Sequence, residues 1–163
     1  MSPHYDLQEK DPRIRRFAEV IGPEALEFYK SRDFINRIIA PIMTGGFLFG
    51  RELYNWIVDQ REFDPDSLTL GNLSKDYSNK GQYPFKVIAR ELKDSGIIIV
   101  DDSCSTKKTL GIVIPNLKVY LNGTDAQIRV AVERNYAGDH EYVDWSVGDD
   151  GLIRWRNGDQ NRL

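Results

Sequence analysis

The chain has one cysteine, Cys104, among 163 residues. A lone thiol cannot close an internal disulfide, so no covalent framework is available and a reducing compartment fits. No apolar run approaches the roughly 18 residues of a membrane span. The first residues, MSPHYDLQEKDPRIRR, carry no apolar stretch of the kind that marks a secretory signal. These absences predict a cytoplasmic protein with no membrane partner. Histidine is nearly as scarce, with His4 and His140 as the two copies. Asp139-His140-Glu141 holds possible metal ligands, but adjacent residues on a strand point to opposite faces, so the run reads as a polar turn. There is no G-x-x-x-x-G-K-[ST], no H-E-x-x-H and no G-x-S-x-G. The run Gly45-Gly46-Phe47-Leu48-Phe49-Gly50 is too apolar for a phosphate cradle and has no lysine. The prediction is a protein that is not an enzyme and uses no cofactor and no metal.

What is present is the composition of a soluble globular chain, 40% hydrophobic and 29% charged. A chain of this length buries about two-thirds of its unfolded surface, enough for a core without staples. Three sections differ in period and charge.

Residues 1–67 read as helical and packed on the core. Asp11-Pro12 is a helix start, and Ile14, Phe17, Ala18 and Ile21 recur at helical spacing. Gly22-Pro23 is expected to break the chain, with Ala25, Leu26, Phe28 and Tyr29 on a second short helix. Phe34, Ile35, Ile38, Ile39 and Ile42 suggest a third helix, ended by Gly45-Gly46. Leu48, Leu53, Trp56 and Ile57 suggest a fourth, up to about Gln60.

In residues 68–118, Ser67 or Thr69 can cap a short helix, Leu70 to Tyr77. After the turn Asn79 to Gln82, Pro84 opens a second helix with Phe85, Ile88, Ala89 and Leu92 on one face. Ser95-Gly96 stops it, with Gly96 suited to positive φ. Ile97 to Val100 and Thr109 to Ile114 read as two strands around a polar loop, the Asp101-Asp102 pair being turn residues.

Residues 119–163 read as an antiparallel β extension. Leu117, Val119 and Leu121 alternate, as do Ile128, Val130 and Val132, with Asn122-Gly123 as a turn. In the last hairpin, Gly151 closes a three-residue loop, Asp149 to Gly151. That register pairs Trp145 with Trp155, Val147 with Ile153, and Asp144 with Arg156.

The middle run, LTLGNLSKDYSNKGQYPFKVIARELKDSGIIIVDD, resembles a winged helix-turn-helix of bacterial and phage regulators, with Leu92 to Ile98 as its L-x-x-x-G-I-I ending. The resemblance implies an α+β fold of N-terminal helices, a winged helix-turn-helix core and a C-terminal antiparallel β-hairpin or meander. It also implies duplex DNA binding by a transcriptional regulator, through recognition helix 84–95 and wing 97–114. The residues expected on DNA are Lys80, Gln82, Tyr83, Lys86, Arg90 and Lys93, with Lys107 and Lys108 at the wing tip. Charge agrees: residues 68–118 hold 8 Lys and Arg against 5 Asp and Glu, while the whole chain is at -3. A homodimer would suit a palindromic operator. The alternatives are a protein-interaction module using its acidic flanks, such as an adaptor or an inhibitor of a nucleic-acid machine, and a replication or recombination accessory of a mobile element.

Overall fold

A computed structural model of the protein describes residues 11–43, 45–73, 94–104, 108–136 and 142–156. Helix α1 spans Pro12–Lys30. Its start is as expected: Pro12 opens the helix and the Asp11 side chain accepts from the Arg13 N–H at 2.9 Å. The helix does not break at Gly22-Pro23. An internal proline costs about 3 kcal/mol, but Phe17, Ile21, Ala25 and Phe28 bury one continuous stripe across it. Gly22 lets the Trp56 ring pack against the helix, where a Cβ would stand 2.4 Å from that ring.

Strand β1, Asn36–Pro41, replaces the expected third helix. Its residues are buried on both faces of a sheet, so the apolar run is nearly continuous and its period cannot distinguish strand from helix. Helix α2, Phe47–Gln60, follows Gly45-Gly46 as expected. A 3-10 turn, Pro65–Ser67, leads into β2, Leu68–Leu70, which lies where a capped helix was expected to start. The chain stays extended there: Gly71 N–H donates to Ile39 O, and Leu73 bridges to Ile42.

Strand β3, Ser95–Cys104, contains the expected first wing strand but is longer and central. Gly96 lies within it; the positive φ falls on Asp94, at 55°. The expected second wing strand is instead helix α3, Lys108–Tyr120. Leu110, Val113, Ile114 and Leu117 line its buried face at helical spacing, and Leu121 continues the line. The alternation of Leu117, Val119 and Leu121 therefore does not mark a strand. Strands β4, Gln127–Asn135, β5, Trp145–Val147, and β6, Ile153–Trp155, complete the described elements. The last hairpin has the expected register, Trp145 opposite Trp155 and Val147 opposite Ile153. Gly151 has φ +79°, and Arg156 pairs with Asp144 at 2.9 Å.

One six-stranded sheet, in the order β2-β1-β3-β4-β5-β6, draws strands from all three sections of the sequence. Every pairing in it is parallel except β5 with β6. Helices α1 and α2 cover one face, over Ile39, Ile98, Val100, Ala131 and Trp145. Helix α3 covers the other, over Ile38, Ala40, Ile97, Ile99 and Val130. The fold class is thus α/β, a mixed sheet between helical layers. It is not the expected α+β winged helix with a β extension: β3 and α3 belong to a β–α–β unit rather than to a wing. The ending Leu-x-x-x-Gly followed by a β-branched strand suits any junction into a buried strand, which is why it resembled a wing.

Candidate active site at the carboxyl ends of the strands

Strands β1 and β3 are neighbours, yet the chain leaves them in opposite directions: α2 follows β1 on one face and α3 follows β3 on the other. At such a switch point the connections part and a crevice opens beyond the carboxyl ends of the strands, the usual ligand position in α/β sheets.

The wall on the β1 side is formed by Ile42, Gly45 and Gly46, with the Gly46 N–H donating to Ile42 O at 2.9 Å. Ile42 N–H donates to Val100 O at 2.8 Å, which ties this wall to β3. Its two glycines are needed by contact. A Cβ on Gly45 would lie 2.7 Å from Asp102 Oδ2, and one on Gly46 would lie 2.4 Å from Val100 O. Helix α2 then starts with no side-chain cap and no acidic residue in its first turn. Its leading N–H groups have no intrahelical acceptor, and with the helix dipole they favour an anion.

The floor is the end of β3. Asp101 is buried and its Oδ1 accepts from the Asp102 N–H at 2.8 Å. Asp102 Oδ1 accepts from the Ser103 N–H at 2.8 Å. These bonds to main-chain donors fix both carboxyl groups. Because residues alternate along a strand, Asp101 falls on the α3 side and Asp102 on the α1–α2 side. Helix α3 begins at Lys108, four residues beyond Cys104, also without an acid in its first turn. Two carboxylates thus stand between two helix N-termini. Carboxylates accept from sugar hydroxyls and helix N-termini hold phosphates, which is the chemistry of a phosphorylated ribose.

Beside Asp102 lies a cleft of about 140 Å³ lined by Arg13, Phe49, Asp102, Ser103, Glu133, Arg134 and Tyr136. Glu133, at the end of β4, is 2% exposed. Its Oε1 is 3.3 Å from Arg134 Nε and 3.9 Å from Arg16 Nη2. Burial pushes the Glu133 carboxyl up, while Arg134, Arg13 and Arg16 oppose that shift. Arg134 also pairs with Asp149, and Arg13 with Asp11 at 3.1 Å.

Of the residues expected on DNA, Lys80, Gln82, Tyr83, Lys86, Arg90, Lys93 and Lys107 lie outside the described residues, as do residues 84–93 of the expected recognition helix 84–95; its last residue, Ser95, begins strand β3. Lys108 is the first residue of α3. The run 139–141, expected as a polar turn, also lies outside. Among the described residues no cluster of His, Cys, Asp and Glu is arranged to hold a metal ion, and no helix is long and apolar enough to cross a membrane.

No family model matches the chain, and no curated protein matches it in sequence. In three dimensions it is similar to phosphoribosyltransferases. A hypoxanthine phosphoribosyltransferase of Trypanosoma cruzi aligns with TM-score 0.62 at 15% identity, covering 82% of this chain and 75% of that one. The same enzyme in complex with the product IMP aligns with TM-score 0.60 at 17% identity, over 83% and 75% of the two chains. A hypoxanthine-guanine-xanthine phosphoribosyltransferase gives 0.57 at 19% identity, over 82% and 71%. At these identities the likeness is one of fold.

That likeness corrects the functional expectations. The fold is shared with enzymes acting on nucleotides, so the winged-helix regulator, its duplex DNA partner and operator-bound homodimer, and the protein-docking and mobile-element alternatives fall with the winged helix. The expectation of a non-enzyme rested on missing motifs, whereas the solved structures that share the fold are named as phosphoribosyltransferases. Gly45-Gly46, set aside as too apolar, and Asp101-Asp102, read as turn residues, prove to be the walls and floor of the crevice. The available signal was a β-branched run ending in two acids ahead of a helix.

Proposed function

We propose that the protein is a phosphoribosyltransferase, joining a heterocyclic base to a phosphoribosyl donor. The reading rests on one observation: Asp101 and Asp102 lie among the last residues of the central strand, which precedes the start of α3, and Gly45, just ahead of α2, is pressed on Asp102. In this reading the Gly45-Gly46 turn and the first N–H groups of α2 hold the pyrophosphate of the donor. The start of α3 holds the 5-phosphate, and the two carboxylates accept from the ribose hydroxyls. The bond from C1 of the ribose to pyrophosphate breaks, the bond from C1 to a ring nitrogen forms, and the base gives up its N–H proton. Held geometry and charge-matched N–H donors at the leaving pyrophosphate supply the acceleration. The named neighbours act on hypoxanthine, which makes a purine the first acceptor to try. A cytoplasmic location suits such a substrate and a cysteine, Cys104, that forms no disulfide.

The test is calorimetric titration with phosphoribosyl pyrophosphate, together with chromatographic detection of IMP formed from that donor and hypoxanthine. Asp102→Asn should weaken donor binding about tenfold, the worth of one charged hydrogen bond. A folded protein that binds no donor would overturn the reading.

A further inference from the structure

The cleft beside Asp102 has one acceptor left over. Both ion-pair contacts of Glu133 fall on Oε1, from Arg134 and Arg16. Among the described residues Oε2 takes no hydrogen bond, and it is not among the buried polar atoms left without a partner, so it is the part of the carboxylate open to the cleft. A carboxylate in so buried a position is costly unless its lone pairs are used.

The cleft is also balanced in charge. Arg13 and Arg134 face Asp102 and Glu133 across it, and each arginine has a carboxylate partner, Asp11 for Arg13 and Asp149 with Glu133 for Arg134. Among the described residues that line it, no cation is left over for an anionic ligand. Phe49 and Tyr136 give the lining aromatic surface. The volume, about 140 Å³, is well below the roughly 300 Å³ at which drug-sized pockets begin. It suits one neutral planar ring system that carries N–H groups.

We infer that this cleft is the acceptor-base site and that Glu133 Oε2 selects bases bearing an exocyclic amino group over bases with only a carbonyl at the same edge. The inference rests on the phosphoribosyltransferase reading for its reaction, and names the acceptor class for it. An amino group donates to Oε2; a carbonyl oxygen in that place meets a second acceptor, and the pair is left unsatisfied. Sites built to bond a donor discriminate strongly against analogues that lack it.

The experiment measures binding of adenine, guanine, hypoxanthine and orotate to the full chain by calorimetry, with and without phosphoribosyl pyrophosphate. Wild type should bind the better of the two amino bases at least about tenfold more tightly than hypoxanthine, and orotate more weakly still. Glu133→Gln replaces an acceptor-only group by an amide that also donates, and should shrink the preference to within about threefold. Glu133→Asp keeps the charge and should retain part of the preference, which separates recognition from loss of fold; near-UV circular dichroism checks both variants. Equal or tighter binding of hypoxanthine or orotate by wild type overturns the inference, as does a preference unchanged in Glu133→Gln, or no binding of either amino base under both conditions. Donor binding is read in its own titration. A protein that binds amino bases but no donor therefore rejects the transferase reading and keeps the base site, and the converse result rejects the base site alone.

Discussion

Gly45 sits so close to Asp102 that a methyl group on the glycine would stand 2.7 Å from the carboxylate oxygen Oδ2. The next glycine faces something less yielding, the main-chain oxygen of Val100 at 2.4 Å. Gly45→Ala should displace the Asp102 side chain, weaken donor binding about tenfold and leave the unfolding midpoint nearly unchanged. Gly46→Ala must move backbone, and overpacking of that kind costs about 1–3 kcal/mol. Urea unfolding and donor titration on both variants check the contrast.

Helices α1 and α2 meet at Gly22 and Trp56. A Cβ on Gly22 would lie 2.4 Å from Cε3 of that ring. Gly22→Ala gains helix propensity but has to expel the indole, so a net loss of about 1–3 kcal/mol is expected. The measurement is the urea midpoint; a stabilised variant would show that the helices slide apart freely.

Asp144 joins the hairpin to the rest of the sheet. Its Oδ2 accepts from the Val130 N–H at 2.8 Å and its Oδ1 pairs with Arg156 at 2.9 Å. Asp144→Ala leaves a main-chain donor of β4 unsatisfied, a loss of about 1–3 kcal/mol. Hydrogen exchange should speed up at Val130 in particular. Arg156→Ala removes only the partly exposed ion pair and should cost less than about 1 kcal/mol.

Burial raises the Glu133 carboxyl above its ordinary range. A group with a raised folded-state pKa gives stability below its unfolded value, and that stability is lost as pH rises through the folded value. Glu133→Gln does not ionise. The difference in Tm, variant minus wild type, should therefore grow more positive from about pH 4 to about pH 7. Parallel melting curves at fixed ionic strength read it out, and a difference that falls with pH would show the three arginines outweighing burial.

The parts of the molecule legible in the sequence are those set by neighbours along the chain. The α1 start follows from Asp11-Pro12, the α2 start from Gly46, and the β5–β6 register from Gly151 with its flanking tryptophans. Strands β1 and β3 are harder because both faces are covered, which erases the alternation that marks a half-buried strand. In α3, Leu110, Val113, Ile114 and Leu117 hold the helical period, but Pro115 and three β-branched neighbours pull the local preference toward a strand. Packing over Ile97 and Ile99 decides for the helix. The site was less legible still. Gly45 and Gly46 matter because of Asp102 and Val100, which are remote in sequence, and Glu133 looks like one polar position of an alternating strand until Arg16 and Arg134 are seen around it.

Strand β3 is the hub of the sheet, paired on one side with β1 and on the other with β4. Ile38 and Ile97, partners across the first of these pairings, are about sixty residues apart in the chain. Such a contact closes a long loop before any return, so this pairing is expected late and slow in folding. The crevice at the β1–β3 boundary comes into being with that same step. A ligand that spans the boundary cannot be captured by a half-assembled chain, and its capture should slow unfolding while leaving the folding rate alone.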